Sequence, residues 1–321
     1  MNAEQLALWL EHRLPGIPTL HLNSGNTRVA HILNWGGFVN HSFSVSDGTV
    51  QYHLKLTNDL DSIARLQRWR AVHDLLERRY RAPELIQWID LSEIGFAGLL
   101  FQHLECRTAE FNANPAMVEQ LIALADCLHK YEDIRFHIQR SGSGKTYLDH
   151  FDDTYIDRFT ADLEIIAAGQ LPFLSSALLI WMREETERLL ETASRMGPFQ
   201  HPAVEAVHGD LNEGNVLITA DNWFVVDWDD LAIGDPAIDL AILLWPMVWE
   251  GSQWRELLKT STEYGFPERM EVCFRAQLLD EVIDPLADFV AACAVPSKQA
   301  AVQLVKRKRH EEALEKYRIR W

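Results

Sequence analysis

From residue 3 onward Leu6, Trp9, Leu10 and Leu14 recur at helical spacing, predicting an amphipathic helix over residues 3–14 that Pro15-Gly16 ends. The pattern then turns to short runs of strand-forming residues. Ala30–Leu33, Ser42–Val45 and Gln51–Leu56 read as strands, the last two joined through Asp47-Gly48, a dipeptide suited to a tight hairpin. Ile63, Leu66, Trp69, Val72, Leu75 and Leu76 place one apolar face on a helix over Ser62–Arg79. Leu85–Ile89 and Gly98–Leu104 predict two more strands, which complete an N-terminal sheet. Helical spacing returns over Pro115–Tyr131 and dominates thereafter, apart from one hairpin in which Asn215–Ile218 and Trp223–Val226 flank the turn-rich Thr219–Asn222. The fold class is α+β: an antiparallel N-terminal sheet with a helix, then a larger, mainly α-helical region.

Composition narrows the functional classes. A chain of 321 residues with 47% hydrophobic and 24% charged residues is expected to be soluble and globular, as one large or two moderate domains. The start lacks the basic region of a secretory signal, and Leu240–Trp249 is too short and Pro-interrupted to span a bilayer, so a cytoplasmic location without a membrane partner is expected. The net charge of −17 repels nucleic-acid backbones. Lys306-Arg307-Lys308-Arg309-His310 is followed by Glu311-Glu312 and reads as a solvated helix face. Cys106, Cys127, Cys273 and Cys293 are widely spaced and read as small buried residues, and the histidines lack a zinc-ligand spacing.

The densest chemical signal is His208-Gly209-Asp210-Leu211-Asn212-Glu213-Gly214-Asn215, which keeps the aspartate-to-asparagine spacing of the kinase loop H-R-D-x-x-x-x-N. The hairpin that follows carries the chain back to Asp227, placing that carboxylate beside Asn215. Phosphoryl transfer needs one group to take the proton of an attacking hydroxyl and others to grip magnesium, which prefers hard oxygen ligands. Asp210 suits the first task; Asn215 and Asp227 suit the second. Asp and Asn are also common turn residues, but matched spacing and a hairpin of the right length ending in a carboxylate favour catalysis.

Val207–Leu217, Val226–Asp229 and Ile233-Gly234-Asp235-Pro236-Ala237-Ile238-Asp239-Leu240-Ala241 together resemble the aminoglycoside phosphotransferase and choline kinase superfamily. The resemblance implies a two-lobed, protein-kinase-like fold, with residues 1–103 as nucleotide-binding lobe and 104–321 as catalytic and substrate-binding helical lobe. It implies an ATP- and magnesium-dependent transfer of the terminal phosphate to a small-molecule hydroxyl. Lys55, on the third strand, would touch the nucleotide phosphates. Gly36-Gly37-x-x-Asn40 would form the phosphate-covering loop, where adjacent glycines admit backbone amides close to phosphate. Main-chain groups of Gln102, His103 and Leu104 would bind adenine, while His208 and Asp239 would support the catalytic loop. One departure stands out: the helix over 62–79 lacks the family's early glutamate, its surroundings offering only Asp59, Asp61, Asp74 and Glu77, so the acid that pairs with Lys55 is left open.

Two rival readings are weaker. In a protein kinase a long peptide-docking segment separates D-F-G from A-P-E, whereas eleven residues separate Asp227 from Asp239 and neither motif is present. A non-catalytic nucleotide-binding regulator would have no need of Asp210, Asn215 and Asp227 together. Ser141–Thr146 imitates the end of a Walker-A loop, but Gln139 stands where its first glycine belongs. The superfamily includes kinases of choline, methylthioribose, homoserine and fructosamine, so the resemblance alone does not name the acceptor. Asp149, Asp153 and Asp157 follow at i, i+4 spacing near Asp152, Asp162 and Glu164, with Asp280, Glu281, Asp284 and Asp288 further on. Such a density suits either a cationic amino alcohol or aminoglycoside-like acceptor, or a solvated acidic surface.

Overall fold

A computed structural model of the chain describes residues 2–33, 40–138, 144–249, 266–294 and 296–320. The chain forms two compact units, one of Met1–Thr108, Val216–Asp229 and Cys293–Ser297, the other of Ala109–Asn215, Asp230–Ala292 and Lys298–Trp321.

The first unit opens with α1 (Ala3–Arg13), whose N-terminus is closed by a capping box between Asn2 and Gln5. Its sheet contains β1 (Arg28–Ile32), β2 (His41–Ser46), β3 (Gln51–Thr57), β4 (Leu85–Leu91) and β5 (Phe96–Gln102). They lie side by side in the order β1-β2-β3-β5-β4, every neighbouring pair antiparallel. Leu6, Leu10 and Leu14 pack with Phe43, Val45, Leu54, Leu56 and Leu100 in one buried cluster. At roughly 1.5–3 kcal/mol per buried aliphatic side chain, this packing holds α1 to the sheet. The β2–β3 turn is knitted by Asp47, whose carboxylate accepts the N–H groups of Asn23, Thr49 and Val50 at 2.9, 2.8 and 3.0 Å. Those bonds, the Asn23 one foremost, hold its carboxyl well below the usual carboxylate range.

Helix α2 (Leu60–Tyr80) buries Leu66, Trp69, Val72 and Leu76 as its spacing predicts. Strand β5 ends at Gln102, so His103 and Leu104, predicted as its last residues, lie beyond it. A second, three-stranded sheet joins Arg107–Thr108, Val216–Ile218 and Trp223–Val225. The end of α2 fastens this hairpin: Val225 N–H donates to the Arg81 carbonyl at 2.9 Å, and the Arg81 guanidinium lies 4.1 Å from the Trp223 ring.

The second unit is mainly helical. Its longest helix, Phe266–Ala291, packs against Asp157–Gly169, Ser176–Arg195, Pro236–Trp249 and Gln299–Arg320. The strands Glu205–Val207 and Ala232–Gly234 pair antiparallel, a feature the sequence pattern does not reveal because three residues are too few for alternation to show. Asp149, Asp153 and Asp157 do not stack on a continuous helical face, because a π-helical segment, Asp152–Ile156, interrupts the spacing. Asp149 instead caps its own helix through Thr146, and Asp153 pairs with Lys145.

The basic run near the C-terminus also differs from a solvated face. Lys306 is fully buried against Asp288, and the buried His310 ring meets the Val282 carbonyl at 2.8 Å, whereas Arg307 and Lys308 are exposed and pair with Glu311 and Glu312. Of the cysteines only Cys273 is buried; Cys106, Cys127 and Cys293 are exposed thiols. Among the described residues no helix is long and apolar enough to cross a membrane.

Candidate active site

In the second unit, Glu205–Val207 leads into His208-Gly209-Asp210. Gly209 has φ +88°, and a Cβ there would lie 2.8 Å from the Asp230 backbone oxygen, so both conformation and space require glycine. The loop is suspended from Asp239, in the first turn of the helix Pro236–Trp249. That fully buried carboxylate accepts the N–H groups of His208 and Gly209 at 2.8 and 2.7 Å, and it meets His129 Nε2 at 3.1 Å. Burial pushes the Asp239 carboxyl up, but the hydrogen bond and charge of His129, with those of His208, win and hold it below its ordinary value. The buried His208 ring accepts the Asp210 N–H through Nδ1 at 3.2 Å.

Asp210 is held from the other side by two amides. Asn215 Nδ2 donates to Asp210 Oδ2 at 2.8 Å and to its carbonyl at 2.9 Å, while Asn212 Nδ2 donates to Oδ1 at 2.7 Å. Asn215 thus commits its amide nitrogen to Asp210. Tyr155, on the π-helical segment, lies within electrostatic reach of Asp210; it is fully buried and donates to Gln277 Oε1 at 3.3 Å.

In the first unit, the chain leaves Trp223–Val225 and reaches Asp227 at φ 66°, a left-handed conformation uncommon for a non-glycine residue. The next residue anchors the turn: the buried Trp228 indole donates to the Val225 carbonyl at 2.9 Å and packs edge-on against Tyr80. Lys55 comes from β3, opposite β5, where Gly98 lets the strands close; a Cβ on Gly98 would overlap the Lys55 carbonyl. Lys55 Nζ donates to Asp227, and to both oxygens of Asp229 at 2.7 and 2.5 Å. Burial disfavours the Lys55 charge, but Asp227 and Asp229 outweigh it and hold the ammonium above its ordinary value. Burial pushes the Asp229 carboxyl up, with Asp227 adding to it against the pull of Lys55.

The acids beside Lys55 are thus Asp227 and Asp229; sequence reasoning missed the second, although it lies two residues after Asp227. Asn40 belongs to the same group, its Nδ2 donating to Asp229 Oδ2 at 2.8 Å. Gly36 and Gly37 lie outside the described residues. Gln102 pairs with Tyr52 at the end of β5, and His103 and Leu104 follow in irregular backbone. Of the Walker-like stretch, 141–143 lie outside the described residues, and Thr146 serves as a helix cap.

A model of the phosphotransferase enzyme family matches residues 32–272. No curated protein sequence matches the chain. Among solved structures the chain is similar to APH(2")-IIIa in its complex with GDP and kanamycin, at 14% identity and TM-score 0.62, over 96% of this chain and 98% of that one. It is similar to a choline kinase from Cryptosporidium parvum Iowa II at 17% identity and TM-score 0.61, over 95% of each chain. Spectinomycin phosphotransferase APH(9)-Ia, in complex with ADP and spectinomycin, follows at 14% identity and TM-score 0.53, over 96% and 93%. At such identities the likeness is one of fold, and the fold is the protein-kinase-like one.

Proposed function

From the premise that this chain belongs to the phosphotransferase enzyme family, we propose that it transfers the terminal phosphate of ATP to a hydroxyl of a small molecule, with magnesium. The observation that carries the proposal is the grip of Asn215 and Asn212 on Asp210. Accepting hydrogen bonds at both oxygens favours the ionised form of a carboxylate, the form a proton acceptor needs. Asp210 orients the acceptor hydroxyl and takes its proton as the oxygen attacks the terminal phosphorus. His208 and Asp239 fix the loop on which this depends, and Lys55 supplies positive charge to the phosphates.

Magnesium, when bound, neutralises phosphate charge. Its donors would be hard oxygens: the Asn215 carboxamide and the Asp227 carboxylate, whose side chain keeps 34% of its surface exposed. The proposed nucleotide lobe comprises residues 1–103, with Asn40 and the main chain of Gln102, His103 and Leu104 assigned to the nucleotide. Solved neighbours bound to GDP and ADP support a nucleotide partner. The acceptor is proposed to be an amino alcohol or aminoglycoside-like cation, a class that the net charge of −17 would attract.

Transfer from ATP and from GTP to a panel of amino alcohols, aminoglycosides, neutral sugars and anionic alcohols tests the proposal. Magnesium-dependent transfer that weakens in rate at low acceptor concentration as salt is raised is the expected result. An anionic or neutral best acceptor without salt dependence would overturn the cationic assignment alone, whereas absence of any transfer and of nucleotide binding would overturn the whole reading.

A further inference from the structure

Resting on the phosphotransferase reading, we propose that His129 is a positioning residue for Asp210, acting through Asp239 from a helix that has no residue in the catalytic loop. Helix α3 (Pro115–Lys130) buries Met117, Val118, Leu121, Ala125 and Leu128, and His129, in its last turn, is a buried polar residue beside them. A polar group on a buried face needs a hydrogen-bond partner, and His129 Nε2 meets Asp239 at 3.1 Å, across 110 residues of sequence. The helix packs on the strand Glu205–Val207, which runs into His208, and on the helix Pro236–Trp249, which carries Asp239. Those two elements bracket the loop's suspension, and His129 reaches it from a third.

What His129 adds follows from how Asp239 is used. Oδ1 accepts the Gly209 N–H at 2.7 Å and Oδ2 the His208 N–H at 2.8 Å, so the loop hangs on both oxygens. Protonation would put an O–H on one of them and weaken its hold on an N–H. Asp239 is fully buried, and burial by itself favours that protonated form. His129 works against it. Because the carboxylate can only accept, Nε2 donates, and it does so to Oδ2, the oxygen that already holds His208. The His208 ring in turn accepts the Asp210 N–H through Nδ1 at 3.2 Å. A donor on α3 is thereby linked, through Asp239 and then His208, to the backbone of the proton acceptor, all within one compact unit. The path ends on the Asp210 amide, so what it sets is where the Asp210 carboxylate stands.

The test separates the loop from the helix. His129→Leu removes the donor and keeps an apolar side chain for the buried face of α3, while His129→Gln keeps a donor at a similar reach. Full-length wild type and both variants are compared by hydrogen exchange without nucleotide, read by mass spectrometry. In His129→Leu the His208 and Gly209 amides are expected to exchange about tenfold faster, while those of α3 from Val118 to Ala125 keep the wild-type rate. With ATP and an acceptor the same variant should lose about tenfold in kcat at unchanged KM for ATP, the size expected for one hydrogen bond to a charged group lost at the anchor. His129→Gln should recover most of both. Wild-type loop exchange or wild-type kcat in His129→Leu overturns the proposal. So does faster exchange of α3 with the loop still protected, which makes His129 a packing residue alone, and so does a His129→Gln variant as impaired as His129→Leu. Thermal unfolding checks that each variant is folded; should His129→Leu not fold, His129→Asn, whose amide is too short to reach Oδ2, takes its place beside His129→Gln. Exchange needs neither nucleotide nor acceptor, so failure here is distinct from failure of the phosphotransferase reading, which appears as wild-type protein that neither binds nor uses ATP.

Discussion

The Asp239 carboxylate accepts the Gly209 N–H at 2.7 Å, across 30 residues of sequence, while Gly209 itself sits in left-handed backbone against Asp230. The loop bearing Asp210 therefore hangs on one buried acid and bends at one glycine. Replacing Gly209 by Ala puts a Cβ into left-handed backbone, at about 1–2 kcal/mol, and drives it into the Asp230 main chain as well. Gly209→Ala is expected to lower the melting temperature and to reduce turnover by displacing Asp210. Calorimetry and a transfer assay on the same preparation check both; wild-type values in each would contradict the assignment.

Asp210→Asn should reduce kcat by about 10²–10⁴-fold, the usual range for loss of a general base, with little change in ATP affinity. The carboxylate acts on the acceptor, not on the nucleotide. A loss under threefold with an identified acceptor would remove Asp210 from the role.

Asp227→Ala should differ in kind. With a magnesium ligand gone, titration calorimetry is expected to find weakened binding of ATP in the presence of magnesium and a much smaller change in its absence. Equal loss in both conditions points instead to damage at Lys55, which also contacts Asp227.

The pH dependence of stability has a defined direction at His150. Burial pushes this imidazole down from its ordinary 6.5 to about 4, and its Nδ1 accepts the Asp235 N–H at 3.0 Å, a bond that needs the unprotonated nitrogen. Between those values the unfolded chain holds a proton there that the folded chain does not. Stability is therefore insensitive to this group above about pH 6.5 and falls as pH drops toward 4, by roughly 3 kcal/mol for a shift of this size. His53, pushed down to about 4 chiefly by burial, adds loss in the same window. Urea unfolding of wild type and His150→Gln at pH 7 and pH 4.5 measures it. The variant should lose less stability between the two values, and an identical loss would rule out this origin.

What the sequence determined by itself was local. The Asp210-to-Asn215 spacing, the hairpin leading to Asp227, the turn at Asp47-Gly48 and the apolar face of α2 are encoded within a few residues, where covalent geometry limits the outcomes. Enough of that pattern survives to mark the family and the protein-kinase-like fold. The elements that went unseen depend on partners far along the chain. Asp229 meets Lys55 across 174 residues, and no spacing rule spans that distance. Glu205–Val207 becomes a strand because Ala232–Gly234 pairs with it, not through any alternation of its own. Lys306 looked like one charge in a solvated run, yet it is buried because Asp288, on a neighbouring helix, supplies the counter-charge. The i, i+4 spacing of Asp149, Asp153 and Asp157 promised a shared face that a π-helical segment removes. Short-range periodicity specifies elements and the order of chemical groups along them. Which buried charge meets which is settled only when packing removes water, because the free energy of an ion pair depends on surroundings that no segment contains.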